Sequence, residues 1–345
     1  MKFEPNFHYT DKIVNNVAEI SSAQRTVINS YLVPKWEVTL RREALLKSAH
    51  ASTSIEGNPL SLEEVSKLAE GREVTATRKA KQEVLNYLQV LVNISGYSKD
   101  GKIAEEAILR LHKDVTKATL DYLEDEGRYR GRQVFVGDRW GNVVFMPPKT
   151  SEVPKLMHAL VDWLNSDAAS RLNPVIAAGI AHYEFVRIHP FIDGNGRTSR
   201  ALATLILYTR GFDIKRFFAL DDYYDSDRPA YYAALKSVDK ETRDLTGWLE
   251  YFTDGVRQSI KAVEERILRL SSEKLRNDAK GHIALTERQM KIVEFINLKG
   301  RITNKNVQEM FKITDRGALK EIRKLVDLSV IKPEGKGRSL FYIIS

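Results

Sequence analysis

The chain has 345 residues, 43% of them hydrophobic and 29% charged, which fits an ordinary globular protein of two or three domains and excludes an intrinsically disordered one. With no apolar run near roughly 18 residues and no signal-peptide layout at the start, no membrane partner and a cytoplasmic location are expected. The lack of cysteine excludes disulfides, thiolate nucleophiles and cysteine-ligated zinc, so any chemistry must come from His, carboxylates, Arg or hydroxyls. The net charge of +8 is unevenly spread: residues 280–345 hold 14 Lys plus Arg against 7 Asp plus Glu, and the rest hold 40 against 39. Two functions in two places are therefore expected.

Apolar residues at three- and four-residue spacing dominate, so the expected fold class is mainly α, interrupted by two hairpins. The first informative helix runs from about Trp36 to Glu56. Gly57 suits a left-handed cap and Pro59 stops the helix, which puts Glu56 in its last turn. The helix dipole disfavours a carboxylate there by roughly 0.3–1 kcal/mol, which invites a cationic partner. Residues 131–148 carry two β-branched and aromatic runs around a Gly/Asp/Asn turn and end in prolines, a hairpin pattern.

Residues 174–188 read as a mostly buried helix, and Pro190 disfavours helical geometry at His189. His189 thus stands where a helix gives way to a loop. Asp193-Gly194-Asn195-Gly196 then leads into a second helix from Arg197 to Arg210, with Gly211 as its stop. A glycine-rich approach to a helix N-terminus is a phosphate cradle, because unpaired N–H groups and a positive partial charge face the anion. Arg197 and Arg200, three apart, can converge on a polyphosphate. Asp193 offers a hard oxygen for magnesium, and His189 has the near-neutral pKa of a base for a hydroxyl. His182 on the preceding helix reads as a packed core histidine.

His-Pro-Phe-x-Asp-Gly-Asn-Gly-Arg-x-x-Arg, complete at 189–200, resembles the signature of the Fic family of protein adenylyltransferases. The likeness extends over roughly residues 40–255. It implies a Fic helical core, ATP and Mg²⁺ as cofactors, and AMP transfer to Ser, Thr or Tyr hydroxyls of proteins. His189 would be the base, Phe191 an anchor of the loop and Asp193 the magnesium ligand. Gly194, Asn195 and Gly196 would bind phosphate, with Thr198 and Ser199 in the same first turn, and Arg197 and Arg200 would neutralise the departing phosphates. The hairpin looks like the family's flap, so Val134, Phe135, Val136 and Gly137, with Tyr231 and Tyr232 downstream, are implied to line the nucleotide. Ordinary strand residues and a core tyrosine pair are equally open readings of these. An exposed flap edge can also align a protein substrate by backbone hydrogen bonds. Ser52-x-x-x-Glu56-Gly57-Asn58 resembles the family's inhibitory helix motif, which implies Glu56 paired with Arg200 and a slow resting enzyme.

A polar stretch at 271–282 coincides with the rise in positive charge, so a domain boundary is expected there. The division is 1–100 for an N-terminal helical region, 101–270 for the core and 283–345 for a third unit. That unit reads as three helices and a hairpin and resembles a winged helix-turn-helix. Arg316, Lys320, Arg323 and Lys324 on its third helix and Lys336 and Arg338 in its wing suit DNA phosphates, and protein docking is equally open. The partners to test are proteins bearing hydroxyls, the chain itself as a target, DNA, and a second copy in a homodimer. Sequence does not separate AMP transfer from AMP removal by water activated at Glu56 or His189. A DNA-binding regulator with a nucleotide-sensing core is the third reading, disfavoured because sensing would not need a base.

Overall fold

The computed structural model describes residues 2–30, 32, 34–137, 142–212, 217–277, 285–335 and 337–345. Hydroxyl and amide caps set many of its helix starts. Thr10 accepts from the Ile13 N–H to begin α1 (Asp11–Asn29), and a Ser61/Glu64 capping box begins α3 (Leu62–Ala69). Between them runs α2 (Pro34–Ile55). Thr77 caps α4 (Arg78–Val92), and α5 (Glu105–Thr116), α6 (Val153–Leu164) and the short α7 (Asp167–Ser170) follow. Then come α8 (Pro174–Ile188), α9 (Asn195–Thr209), α10 (Leu220–Ser226), α11 (Arg228–Lys236) and the long α12 (Thr246–Asn277).

The buried axis of this assembly is α8, whose Ala, Ile and Gly residues are enclosed on all sides. Gly179 lets α12 cross closely: a Cβ there would lie 2.9 Å from both Leu249 and Phe252, and the Trp248 indole N–H donates to the Gly179 carbonyl at 2.8 Å. Such packing fixes where α8 ends, and so where His189 stands. α2 packs on α3, α4, α9 and α10, and buries Val38, Leu40, Ala44, Leu46 and Ala49 on more than one side. It therefore lacks a clean apolar stripe.

The first hairpin is short, with β1 (Val136–Gly137) antiparallel to β2 (Val143–Phe145) through an irregular register. Its expected turn residues Asp138, Arg139, Trp140 and Gly141 lie outside the described residues. Two boundaries differ from expectation. α12 continues past Ser271 to Asn277, and 278–284 lie outside the described residues. α9 begins at Asn195 rather than Arg197, because Gly194 takes the left-handed φ of 77° that turns the chain into the helix.

Residues from Leu285 onward gather a second apolar cluster, formed by Ile292, Val293, Ile296, Val307, Ile322 and Leu325. Its elements are α13 (Glu287–Lys299), α14 (Asn304–Phe311), α15 (Asp315–Asp327), β3 (Ile331–Glu334) and β4 (Phe341–Ile344). Thr303 and Thr314 cap α14 and α15. β3 and β4 pair antiparallel, and Ile302 bridges to Tyr342 beside them. Val38 of α2 belongs to this second cluster, and Gly300 comes so close to α3 that a Cβ would lie 2.3 Å from the Glu70 carbonyl oxygen. The C-terminal unit thus rests on the same helix that leads to Glu56. Lys336 and the side chain of Arg338 lie outside the described residues.

Candidate functional site

His189 caps α8 in the left-handed region (φ 50°, ψ 60°), where a non-glycine residue is uncommon, so the chain turns sharply just at the imidazole. Two contacts hold that turn: the Arg130 side-chain Nε–H donates to the His189 carbonyl at 2.9 Å, and the Arg130 backbone N–H donates to the Pro190 carbonyl at 2.9 Å. The same guanidinium reaches Thr150 and the Pro148 carbonyl, so Arg130 ties the base of the hairpin to the histidine loop. Among the described residues the buried Nδ1 of His189 has no hydrogen-bond partner. Burial pushes the imidazole below its ordinary pKa, against the nearby Val186 carbonyl and with the Arg130 charge reinforcing the shift. It is neutral near pH 7, as a proton acceptor must be.

The loop after it is braced from two sides. Asn195 closes it, its amide donating to the Phe191 carbonyl and accepting from the Phe191 N–H, both at 2.9 Å. His112 of α5 stacks on Phe191 with ring centroids 3.6 Å apart. The Gly127 N–H donates to His112 Nδ1, so Nε2 carries the proton and donates to the Asp193 carbonyl at 2.9 Å. Gly194 then fits against α5, where a Cβ would lie 2.5 Å from the Thr116 methyl. Beyond it the N–H groups of Asn195, Gly196 and Arg197 open the first turn of α9 with no side-chain cap.

A carboxylate fills that opening. Glu56 Oε1 accepts from Arg200 Nη2 at 2.8 Å and lies 2.1 Å from where a Cβ of Gly196 would be. The glycine is what allows an anion to rest on the helix end. Glu56 stands just past Ile55, in the turn opened by Gly57 (φ 90°), rather than in the last helical turn. Arg200 is buried and also donates to the Ser52 hydroxyl and Ser52 carbonyl, both at 2.8 Å, with Asp221 at 3.5 Å. Burial works against its charge, yet Glu56, Tyr231, Tyr87 and Asp221 together hold it above the ordinary guanidinium range.

Arg197 is 2% exposed and faces Glu83 of α4 at 3.3 Å, and Glu83 in turn accepts from the Asn58 amide at 2.9 Å. Nη1 makes that ion pair, and the buried Nε has no hydrogen-bond partner among the described residues. Asp193 is exposed beside it, 3.6 Å from Nη2. One exposed carboxylate at a phosphate cradle fits magnesium carried in with nucleotide phosphates, since that ion keeps waters and takes few protein ligands. Among the described residues no group of three acidic or histidine side chains offers an all-protein metal cage.

The remaining candidates differ in burial. The Thr198 and Ser199 side chains are buried in α9, and the Ser199 hydroxyl donates to the Gly196 carbonyl. Tyr231 is core, 2% exposed, its hydroxyl 2.9 Å from His182 Nε2, whereas Tyr232 is exposed. Val134 is half-buried, Phe135 exposed, and Val136 and Gly137 form β1. Sequence reading missed Arg130, His112, Glu83 and Asp221, none of which stands in a recognisable motif.

Burial depresses His112 to about 4 and His182 to about 3. Both are neutral in the folded protein and take up protons on unfolding below pH 6.5. Their contribution is therefore complete above that pH and is lost as pH falls toward 4. Denaturant unfolding at pH 6.5 and pH 5 should differ by roughly 1–2 kcal/mol per histidine, and His112→Asn should remove about half of that difference. Stability flat across this range would contradict the assignment of two buried neutral histidines.

The Fic/DOC family model matches residues 102–207, which include the whole loop from His189 to Arg200. The protein adenylyltransferase Fic of Nematostella vectensis is 33% identical over 204 residues, covering 56% of this chain and 46% of that protein. The protein of the same name from Drosophila willistoni is 37% identical over 176 residues, 50% of this chain and 34% of its own. The chain thus spans less than half the length of these relatives. The crystal structure of a Fic family protein from Desulfovibrio desulfuricans superposes with a TM-score of 0.66 at 25% identity, covering 99% of this chain and 98% of that one. No helix of the described residues is long and apolar enough to cross a membrane. The stretch from residue 102 to 207, with the histidine loop and the start of α9 inside it, is thus a Fic domain carried by this chain.

Proposed function

We propose that this chain is a nucleotidyltransferase that moves AMP from ATP to Ser, Thr or Tyr hydroxyls of proteins and is restrained at rest by Glu56. The observation that carries the reading is the juxtaposition at one helix end of a neutral buried histidine, an open set of N–H donors and two buried arginines. The hydroxyl oxygen attacks the α-phosphorus, a new P–O bond forms, the bond to the β-phosphate breaks, and the hydroxyl proton passes to His189. Pyrophosphate departs against Arg197 and Arg200. In such transfers the protein chiefly positions groups and stabilises charge. Magnesium, when bound with ATP, neutralises phosphate charge, and Asp193 is the residue that would hold it.

The restraint follows from the ion pair. As long as Glu56 occupies Arg200, the terminal phosphate lacks that partner and must displace a carboxylate from the helix end. Tyr232, exposed on α11, and the exposed Phe135 of the hairpin are the aromatic surfaces proposed for the nucleotide and the target segment. Incubation of the protein with labelled ATP, magnesium and cell lysate, followed by mass spectrometry, tests this reading. Retained AMP on proteins, this chain included, is the expected result.

For the C-terminal unit we propose a winged helix-turn-helix that binds DNA. Arg316, Lys320, Arg323 and Lys324 are exposed on α15 at spacings of four, three and one, one face of the helix, which supports phosphate contacts. Removal of residues 284–345 should abolish DNA binding while leaving self-modification, and the full chain's affinity should fall about tenfold or more between 50 and 200 mM salt. DNA binding retained by the truncated protein, or insensitive to salt, would count against it.

A further inference from the structure

The first hairpin stands away from the helices. β1 and β2 pair with each other and have no extensive contact with any helix among the described residues, and Phe135, Val143, Val144 and Met146 are exposed. The direction of the hairpin is therefore set at its root, where Arg130 stands, 3% exposed. No carboxylate pairs with this guanidinium among the described residues, and burial holds its pKa below the ordinary value.

A buried cation without a counter-ion must spend its donors on neutral acceptors. Arg130 divides them between two segments. Toward the histidine loop, Nε donates to the His189 carbonyl at 2.9 Å, and the backbone N–H donates to the Pro190 carbonyl at 2.9 Å. Toward the hairpin, Nη1 donates to the Thr150 hydroxyl at 2.6 Å and Nη2 to the Pro148 carbonyl at 2.5 Å. Gln133 closes the two legs on each other, its amide donating to the Pro147 carbonyl at 3.2 Å and accepting from the Thr150 N–H at 3.1 Å. A planar guanidinium fork holds three acceptors in fixed directions, which an ammonium on a flexible stem does not do.

We propose that Arg130 is a positioning residue for the transfer: it joins the root of the hairpin to the turn that carries His189, so that a target segment laid along the hairpin edge brings its hydroxyl to the imidazole. The inference rests on the AMP-transfer reading above. Proton transfer needs the hydroxyl within roughly 2.6–3.2 Å of the base, and an error near 1 Å costs about 10²-fold. The hairpin would fix the target and the loop fixes the base, and the Arg130 side chain bonds to both. The phosphate cradle is built from other residues, so nucleotide binding should not depend on this link.

Arg130→Met and Thr150→Val, each made in Glu56→Gly, are compared with that parent. Thr150→Val is the sharper variant, since it cuts the hairpin side and leaves the bond from Nε to the His189 carbonyl in place. It should lower kcat/KM for AMP transfer to protein about tenfold, and Arg130→Met about 10²-fold, with calorimetric ATP affinity within about twofold of the parent in both. Hydrogen exchange read by mass spectrometry on the same proteins needs no activity. In Thr150→Val it should speed up in 133–137 and in 191–196 alike, because loosening one end of the link loosens the other. Melting curves check that each variant is folded, and Thr150→Val serves alone if Arg130→Met is not. Faster exchange confined to the hairpin, or transfer by Thr150→Val at the parent's rate, overturns the proposal. So does a parallel loss of ATP affinity, the mark of a merely structural role. A parent that makes no AMP adduct removes the AMP-transfer reading instead, and the exchange result still decides the link.

Discussion

Glu56→Gly should raise AMP transfer at saturating ATP and magnesium by about tenfold or more, a change worth roughly 1.4 kcal/mol in the barrier. In the proposed restraint a terminal phosphate would have to compete with the carboxylate for one guanidinium edge, Arg200 Nη2 at 2.8 Å from Glu56, and for one helix end, the space above Gly196. Removing the side chain vacates both. Arg200 does not collapse, because Ser52 still accepts twice from it and Asp221 stays at 3.5 Å. The fold should accordingly be kept, since Glu56 sits in a glycine turn already outside α2. Initial rates of AMP incorporation with purified Glu56→Gly and wild type measure the effect. A variant no faster than wild type would remove the restraint from the account and leave Glu56 to be tested as the base of AMP removal.

His189→Ala should lower transfer by about 10²–10⁴-fold, the range typical of a lost general base, with ATP affinity nearly unchanged. Its Nδ1 makes no hydrogen bond among the described residues, so truncation breaks none there. The loop is held instead by the His189 carbonyl, which keeps its bond from Arg130, and by Asn195 and His112. Alanine tolerates the left-handed backbone at φ 50° less readily than histidine does, so His189→Asn is the companion variant that separates backbone strain from lost base. Both should be equally slow. Calorimetric ATP affinity beside the rate distinguishes a lost proton acceptor from a lost binding site. Transfer within a few-fold of wild type in either variant would exclude His189 as the base.

Much of the site was legible in the sequence because its parts are contiguous. Glycines before a helix, a proline after a histidine and arginines three apart each carry a local physical meaning, and 189–200 puts them side by side. The Glu56 to Arg200 contact spans 144 positions and was reachable only through the likeness of Ser52 to Asn58 to a known motif. Arg130, His112 and Glu83 were not legible, because a lone charged or imidazole side chain on a helix or loop looks the same whether it braces a loop or faces water. The burial of the Thr198 and Ser199 side chains was not legible either, since a hydroxyl in a first helical turn reads the same whether it packs inward or faces a ligand. Tyr231 and Tyr232 are adjacent on α11 with ring centroids 5.4 Å apart, yet one is packed against His182 and the other is exposed, a difference in burial that the sequence pair does not show. The three helices and the hairpin of the C-terminal unit were legible because threonine caps, Thr286, Thr303 and Thr314, mark each helix start.

The most direct test compares wild type, Glu56→Gly and the double variant Glu56→Gly with His189→Ala. Each is incubated with ATP and magnesium, alone and with lysate, and read by mass spectrometry for retained AMP. The account predicts adducts in Glu56→Gly, fewer in wild type and none in the double variant. Equal adducts in the single and double variants, or no adduct on any protein with Glu56→Gly, would contradict it.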